Sequence, residues 1–107
     1  MREFINIVES DNETTEYDRE QAVVKVVRHV FTKLGIEPID SNSGVLYLED
    51  MDRECRVRLA DTTVELSILA KLETLGLGRD FKIWGDENGR LSVDFIVADG
   101  IENAEII

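Results

Sequence analysis

At 107 residues, with 43% apolar and 33% charged side chains, the chain has room for one hydrophobic core and enough apolar surface to build it, which excludes a disordered polymer or a two-domain arrangement. No stretch approaches the roughly 20 apolar residues of a membrane helix. Residues 1–10 lack the basic start and apolar run of a signal peptide, and the lone Cys55 excludes an internal disulfide or a cysteine-pair metal site, so the expected location is the cytoplasm, with no membrane partner.

The net charge of −11 sits mostly at the ends. Residues 1–20 carry two basic against seven acidic side chains, 99–107 carry Asp99, Glu102 and Glu105, and 21–98 hold ten basic against thirteen acidic. Duplex nucleic acid is held by basic groups that displace its counterions, so this balance makes nucleic acid an unexpected partner.

Residues 1–17 read as a short N-terminal segment and an acidic linker, 18–98 as a single α+β domain, and 99–107 as an acidic C-terminal tail. In the first segment Phe4, Ile7 and Val8 have helical spacing while Ile5 and Ile7 alternate as in a strand, and both conformations stay open. Asp18, with Gln21 three residues on, supplies the capping chemistry for a helix over 18–34. Its apolar stripe is Ala22, Val23, Val26, Val27, Val30, Phe31 and Leu34, and Gly35 followed by Pro38 stops it.

Residues 45–49 and 55–60 are two β-type runs around a four-residue loop, 50–53. That loop pairs Leu48 with Cys55 and Leu46 with Val57, which turns Val45 and Tyr47 to the other side with Arg58 and Arg56. Thr62 with Glu65 predicts a capping box, and Val64, Ile68, Leu69, Leu72 and Leu75 a helix over 62–75, with Gly76 and Leu77 placed to close it in a Schellman turn. The Leu75-Gly76-Leu77 ending repeats the pattern of Leu34-Gly35-Ile36.

The last hairpin joins 81–85 to 91–97. A two-residue turn at Asn88-Gly89 would set Ile83 against Asp94. A bulged loop of Glu87, Asn88 and Gly89, with Gly89 left-handed, instead sets Ile83 against Val93, Phe81 against Phe95 and Gly85 against Leu91, an apolar face throughout. The order helix, hairpin, helix, hairpin predicts a four-stranded antiparallel sheet with both helices on one face, a two-layer sandwich.

Signals of catalysis are absent from the sequence. His29 has no acidic or thiol partner at helical spacing and reads as solvated, and Cys55 alternates onto the apolar face as a small buried hydrophobe. Asp50, Asp52 and Glu54 lack the glycine of a calcium loop and read as a solvated turn, and aligning Asp86-Glu87-Asn88-Gly89 with such a loop puts Trp84 and Phe95 at ligand positions. The reading is therefore not an enzyme, with no cofactor and no metal.

The side of the sheet away from the helices is the informative surface. It is expected to carry Val45, Tyr47, Arg56, Arg58, Lys82, Trp84, Ser92, Asp94 and Ile96. Such a face should be polar if water covers it, whereas this one collects Trp, Tyr and Arg, the residues enriched in interface hot spots. It is covered either by a protein partner, including a second copy, or by the terminal segments through Phe4 and Ile7 or Ile101 and Ile106.

Residues 1–10, MREFINIVES, resemble the starts of small uncharacterised proteins of marine bacteriophages, which implies a phage-like source, the host cytoplasm and no assigned activity. The element order and the acidity are similar in outline to type III secretion chaperones, dimers that hold extended partner segments, although an extra strand and a closing helix of that family are missing here. The leading expectation is a non-enzymatic, self-associating interaction or regulatory protein. Behind it stand an acidic chaperone-like binder, an acidic inhibitor that imitates nucleic acid, and single-strand binding by Trp84 and Tyr47 beside Arg56 and Arg58.

Overall fold

The structure is a computed structural model, and it describes residues 5–7, 16–39, 44–48, 53–60, 63–85 and 87–106. In chain order the elements are β1 (Ile5–Ile7), α1 (Glu16–Lys33), β2 (Val45–Leu48), β3 (Glu54–Arg58), α2 (Leu66–Thr74), β4 (Gly78–Gly85), β5 (Leu91–Val97), a 3-10 turn (Ile101–Asn103) and β6 (Ala104–Ile106). The protein is α+β: two helices accompany a four-stranded antiparallel sheet in the order β2-β3-β5-β4, and β1 pairs with β6 in a separate two-stranded ribbon. No helix among the described residues is long and apolar enough to cross a membrane.

Helix α1 forms where the valine-rich stripe repeats at helical spacing, and Val23, Val26, Val27, Val30 and Phe31 are all buried. It starts two residues before Asp18, which therefore lies in the first turn rather than at the cap. Both helices end in the same device. After α1, the Ile36 amide donates to the Phe31 carbonyl at 3.0 Å and the Gly35 amide to Thr32 at 3.1 Å; after α2, Leu77 donates to Leu72 and Gly76 to Glu73. Gly35 and Gly76 take positive φ, and Ile36 and Leu77 are buried behind them, so each turn satisfies orphan carbonyls and seals the core at once.

Helix α2 is shorter than its periodicity predicts. It begins at Leu66, and Glu65, the expected third residue of a capping box, is instead the extended cap residue (φ −77°, ψ 138°) with no side-chain cap bond. Val64 packs partly buried against the core from this extended stretch, so tertiary burial holds it outside the helix. Thr62, the expected cap, lies outside the described residues.

The β4–β5 hairpin has the predicted register, Ile83 with Val93 and Gly85 with Leu91, and Gly89 has φ +74°. A bulge between Arg79 and Lys82, with Asp80 at φ 57°, bends β4 near its start. Phe81 reaches Phe95 from this bulge, with ring centroids 4.8 Å apart, and Phe31 of α1 stacks on Phe95 from 6.3 Å.

The β2–β3 register departs from expectation by one residue. Val45 pairs with Val57, Tyr47 with Cys55 and Leu48 with Glu54. A slip of one residue exchanges the two faces of a strand, so Val45 and Tyr47 lie in the core at 2% and 4% exposure. Arg53, just before β3, fits this register. Arg53 takes a left-handed conformation (φ 54°) before β3, its carbonyl accepts from the Val97 amide at 3.1 Å, and its side chain meets the hydroxyl of Tyr47, giving a buried tyrosine its polar partner.

The terminal segments are not appendages to the domain. Ile5 pairs with Ile106 and Ile7 with Ala104, and the 3-10 turn and β6 pack on α1. Ile5 and Ile101 are fully buried in the core, which places Ile101 among the core residues rather than over the far side of the sheet.

Candidate interaction surface

Strand register brings the outward residues of β3, β5 and β4 into three rows across the sheet. Arg58, Ser92 and Trp84 form the first row, Arg56, Asp94 and Lys82 the second, and Glu54, Ile96 and Arg79 the third, with Leu48 of β2 beside Glu54. The opposite face carries Val57, Cys55, Val93 and Phe95 in the core.

Arg56 organises the middle of this surface. Its Nε donates to Asp94 Oδ1 at 3.0 Å and its Nη2 to Oδ2 at 3.3 Å, a two-point contact between directly paired cross-strand positions. Its guanidinium carbon lies 4.7 Å from the centroid of the Trp84 ring. Asp94 and Trp84 thus hold the cation from two sides, and the hydrogen bond to Asp94 raises the Arg56 pKa above its ordinary value despite partial burial. The pair is partly open to solvent, so it positions the ring more than it stabilises the fold.

Trp84 itself is 37% exposed, as is Leu48. Between Arg58 and Trp84 sits Ser92, fully buried, with no hydrogen-bond partner for its hydroxyl. Arg58, Lys82 and Glu54 enter no ion pair among the described residues. A concavity of about 510 Å³ opens at the β4 bulge between Phe81, Lys82, Asp94 and Ile96, beside this face.

Of the interface residues expected from the sequence, the structure brings Arg56 and Trp84 into contact, and strand register puts Arg58, Lys82 and Ile96 on the same face. Val45 and Tyr47 leave it for the core because of the register change. Leu48 and Glu54 enter it, and the signal that finds them is the β2–β3 register. With Tyr47 buried, only Trp84 of the two rings expected to stack bases is exposed, which removes half of that stacking platform for a single nucleic acid strand.

The other candidates behave as their surroundings dictate. Cys55 is fully buried, and burial, with the Asp94 charge behind it, pushes its thiol from 9.0 up to about 12, so it is neutral and unreactive at physiological pH. His29 is half-buried rather than solvated, with a buried Nε2 that has no hydrogen-bond partner. Asp50 and Asp52 lie outside the described residues, and no three His, Cys, Asp or Glu side chains come together as a metal site among those described.

No protein-family model matches the chain, and neither a search of curated proteins nor one of solved structures finds a relative.

Proposed function

We propose that this protein is a non-enzymatic interaction module of the cytoplasm that self-associates through the sheet face bearing Trp84. The observation that carries the reading is the exposure of Trp84 together with its fixation: the one tryptophan of the chain is 37% open while Arg56, itself held by Asp94, braces its ring. An aromatic and an arginine ordered before binding lose little conformational entropy when a partner arrives, which is why such pairs dominate interface energetics. The reading takes the molecule as a two-layer sandwich with both helices on the Phe95 side, in keeping with the stacking of Phe31 on Phe95 and the burial of Leu72 and Leu77 in one cluster.

The test is sedimentation velocity on wild type and Trp84→Ala across a concentration series, with circular dichroism to confirm folding. Wild type is expected to associate and the variant to weaken association at least tenfold. A wild type that stays monomeric across the series overturns the reading.

A further inference from the structure

Resting on that reading, we infer that the occupant of the face is a second copy of the chain in one particular register, in which Arg58 of each copy pairs with Glu54 of the other. Arg58 and Glu54 sit at opposite ends of β3, four residues apart, and neither has an ion-pair partner among the described residues. They are therefore two charges of opposite sign, without ion-pair partners among the described residues although Glu54 also acts through space on Arg56, at opposite ends of one face with the Arg56–Asp94 pair midway.

A closed dimer of two sheets packed face to face needs a two-fold axis lying in the interface. When that axis runs across the strands along the Arg56, Asp94 and Lys82 row, the first row of one copy covers the third row of the other. Arg58 then faces Glu54 twice and the Trp84 ring faces Arg79, a second cation for its open side, while Arg56, Asp94 and Lys82 on the axis each face their own counterpart and the buried Ser92 takes no part. Lys82, exposed on the edge strand, keeps its ammonium in water. An axis along the strands between β3 and β5 would set Arg56 against Asp94 but leave Arg58 and Glu54 without partners, and one along β5 would give Glu54 the charge of Arg79 but set Arg56 against Lys82. The cross-strand axis is preferred because it satisfies the charges that the single chain leaves open, whereas Arg56 and Asp94 already satisfy each other.

The face is small. Four strands about 4.8 Å apart and a β3 some five residues long, at about 3.3 Å each, span roughly 19 by 16 Å, about 300 Å² per copy and well short of the roughly 800 Å² per partner of a standard interface, so the contact is expected to be weak. The dimer is accordingly expected to dissociate in the micromolar range.

Charge reversal tests the register. Sedimentation equilibrium is measured on wild type, Arg58→Glu, Glu54→Arg and the double variant, each checked for fold by circular dichroism; both side chains are at least partly exposed, so folding is retained. Each single reversal is expected to weaken the dimer at least tenfold, and the double variant to recover to within a few fold of wild type. Single variants that dimerise like wild type, or a double variant no better than the singles, overturn this register. If Trp84→Ala still abolishes association in that case, the face remains the contact and only the register is wrong; a monomeric wild type removes both.

Discussion

The hydroxyl of Tyr47 accepts a hydrogen bond from Arg53 Nε at 3.0 Å, and the same guanidinium reaches Asp99 and Glu102. One side chain at the end of the first hairpin loop thereby ties the sheet to the segment that leads into the terminal ribbon. Burial by itself lowers the Arg53 pKa, but the bonds to Tyr47 and Glu102 outweigh it and leave the pKa above the ordinary value, so the group is charged at every accessible pH. Tyr47→Phe is expected to cost about 1 kcal/mol in urea unfolding, the net worth of one such hydrogen bond. Arg53→Ala is expected to cost more, because it leaves the buried hydroxyl unpaired. Arg53→Gly is expected to recover about 1 kcal/mol of that loss, since glycine holds φ near 54° without strain. Equal midpoints for the alanine and glycine variants would show that the left-handed backbone carries no cost.

Cys55 gives a pH dependence with a defined sign. Its folded pKa of about 12 lies above the ordinary 9.0, so its contribution to stability is complete below pH 9. As pH rises from 9 toward 12 the unfolded chain ionises first and stability falls. Cys55→Ala is expected to be less stable at pH 7 yet to show a shallower decline over that window. At pH 8 the native thiol is expected to react with an aromatic disulfide reagent only at the rate at which the protein opens. Rapid labelling without unfolding would refute the burial of Cys55.

At Gly89 the strain is purely conformational. Its φ is +74°, and a Cβ built there meets nothing within 4 Å. Gly89→Val is expected to destabilise by roughly 1 kcal/mol or more through the left-handed backbone alone. An unchanged melting midpoint would contradict it.

Asp94 separates positioning from stability. Asp94→Asn removes the charge that fixes Arg56 yet touches a pair still partly open to water, so the cost to folding is expected to stay below about 1 kcal/mol. With Arg56 no longer held over the ring, Trp84 emission is expected to change and the dimer to weaken. Unaltered Trp84 emission and affinity would mean that the bracing of the ring contributes nothing to association.

The elements that local chemistry controls were legible in the sequence. The 3.6-residue stripe of α1, the glycine endings of both helices and the β4–β5 register all come from residues close in the chain. In β5, Ser92, Asp94 and Ile96 alternate with the apolar Val93, Phe95 and Val97, and only the bulged loop sets them against β4 with a purely apolar core side. Arg56, Trp84, Arg58, Lys82 and Ile96 were readable as one face for the same reason.

The tertiary structure decided what such patterns leave silent. All four residues of β2, Val45, Leu46, Tyr47 and Leu48, are apolar, so alternation says nothing about which pair faces inward. The register that buries Tyr47 gives its hydroxyl a partner, an arginine beyond the loop in an uncommon backbone conformation. The pairing of Ile5–Ile7 with Ala104–Ile106 joins the two ends of the chain through strands of three residues. Strands that short carry no periodicity of their own, and their stability comes from the burial of Ile5 and Ile101 in a core that the rest of the fold must first create.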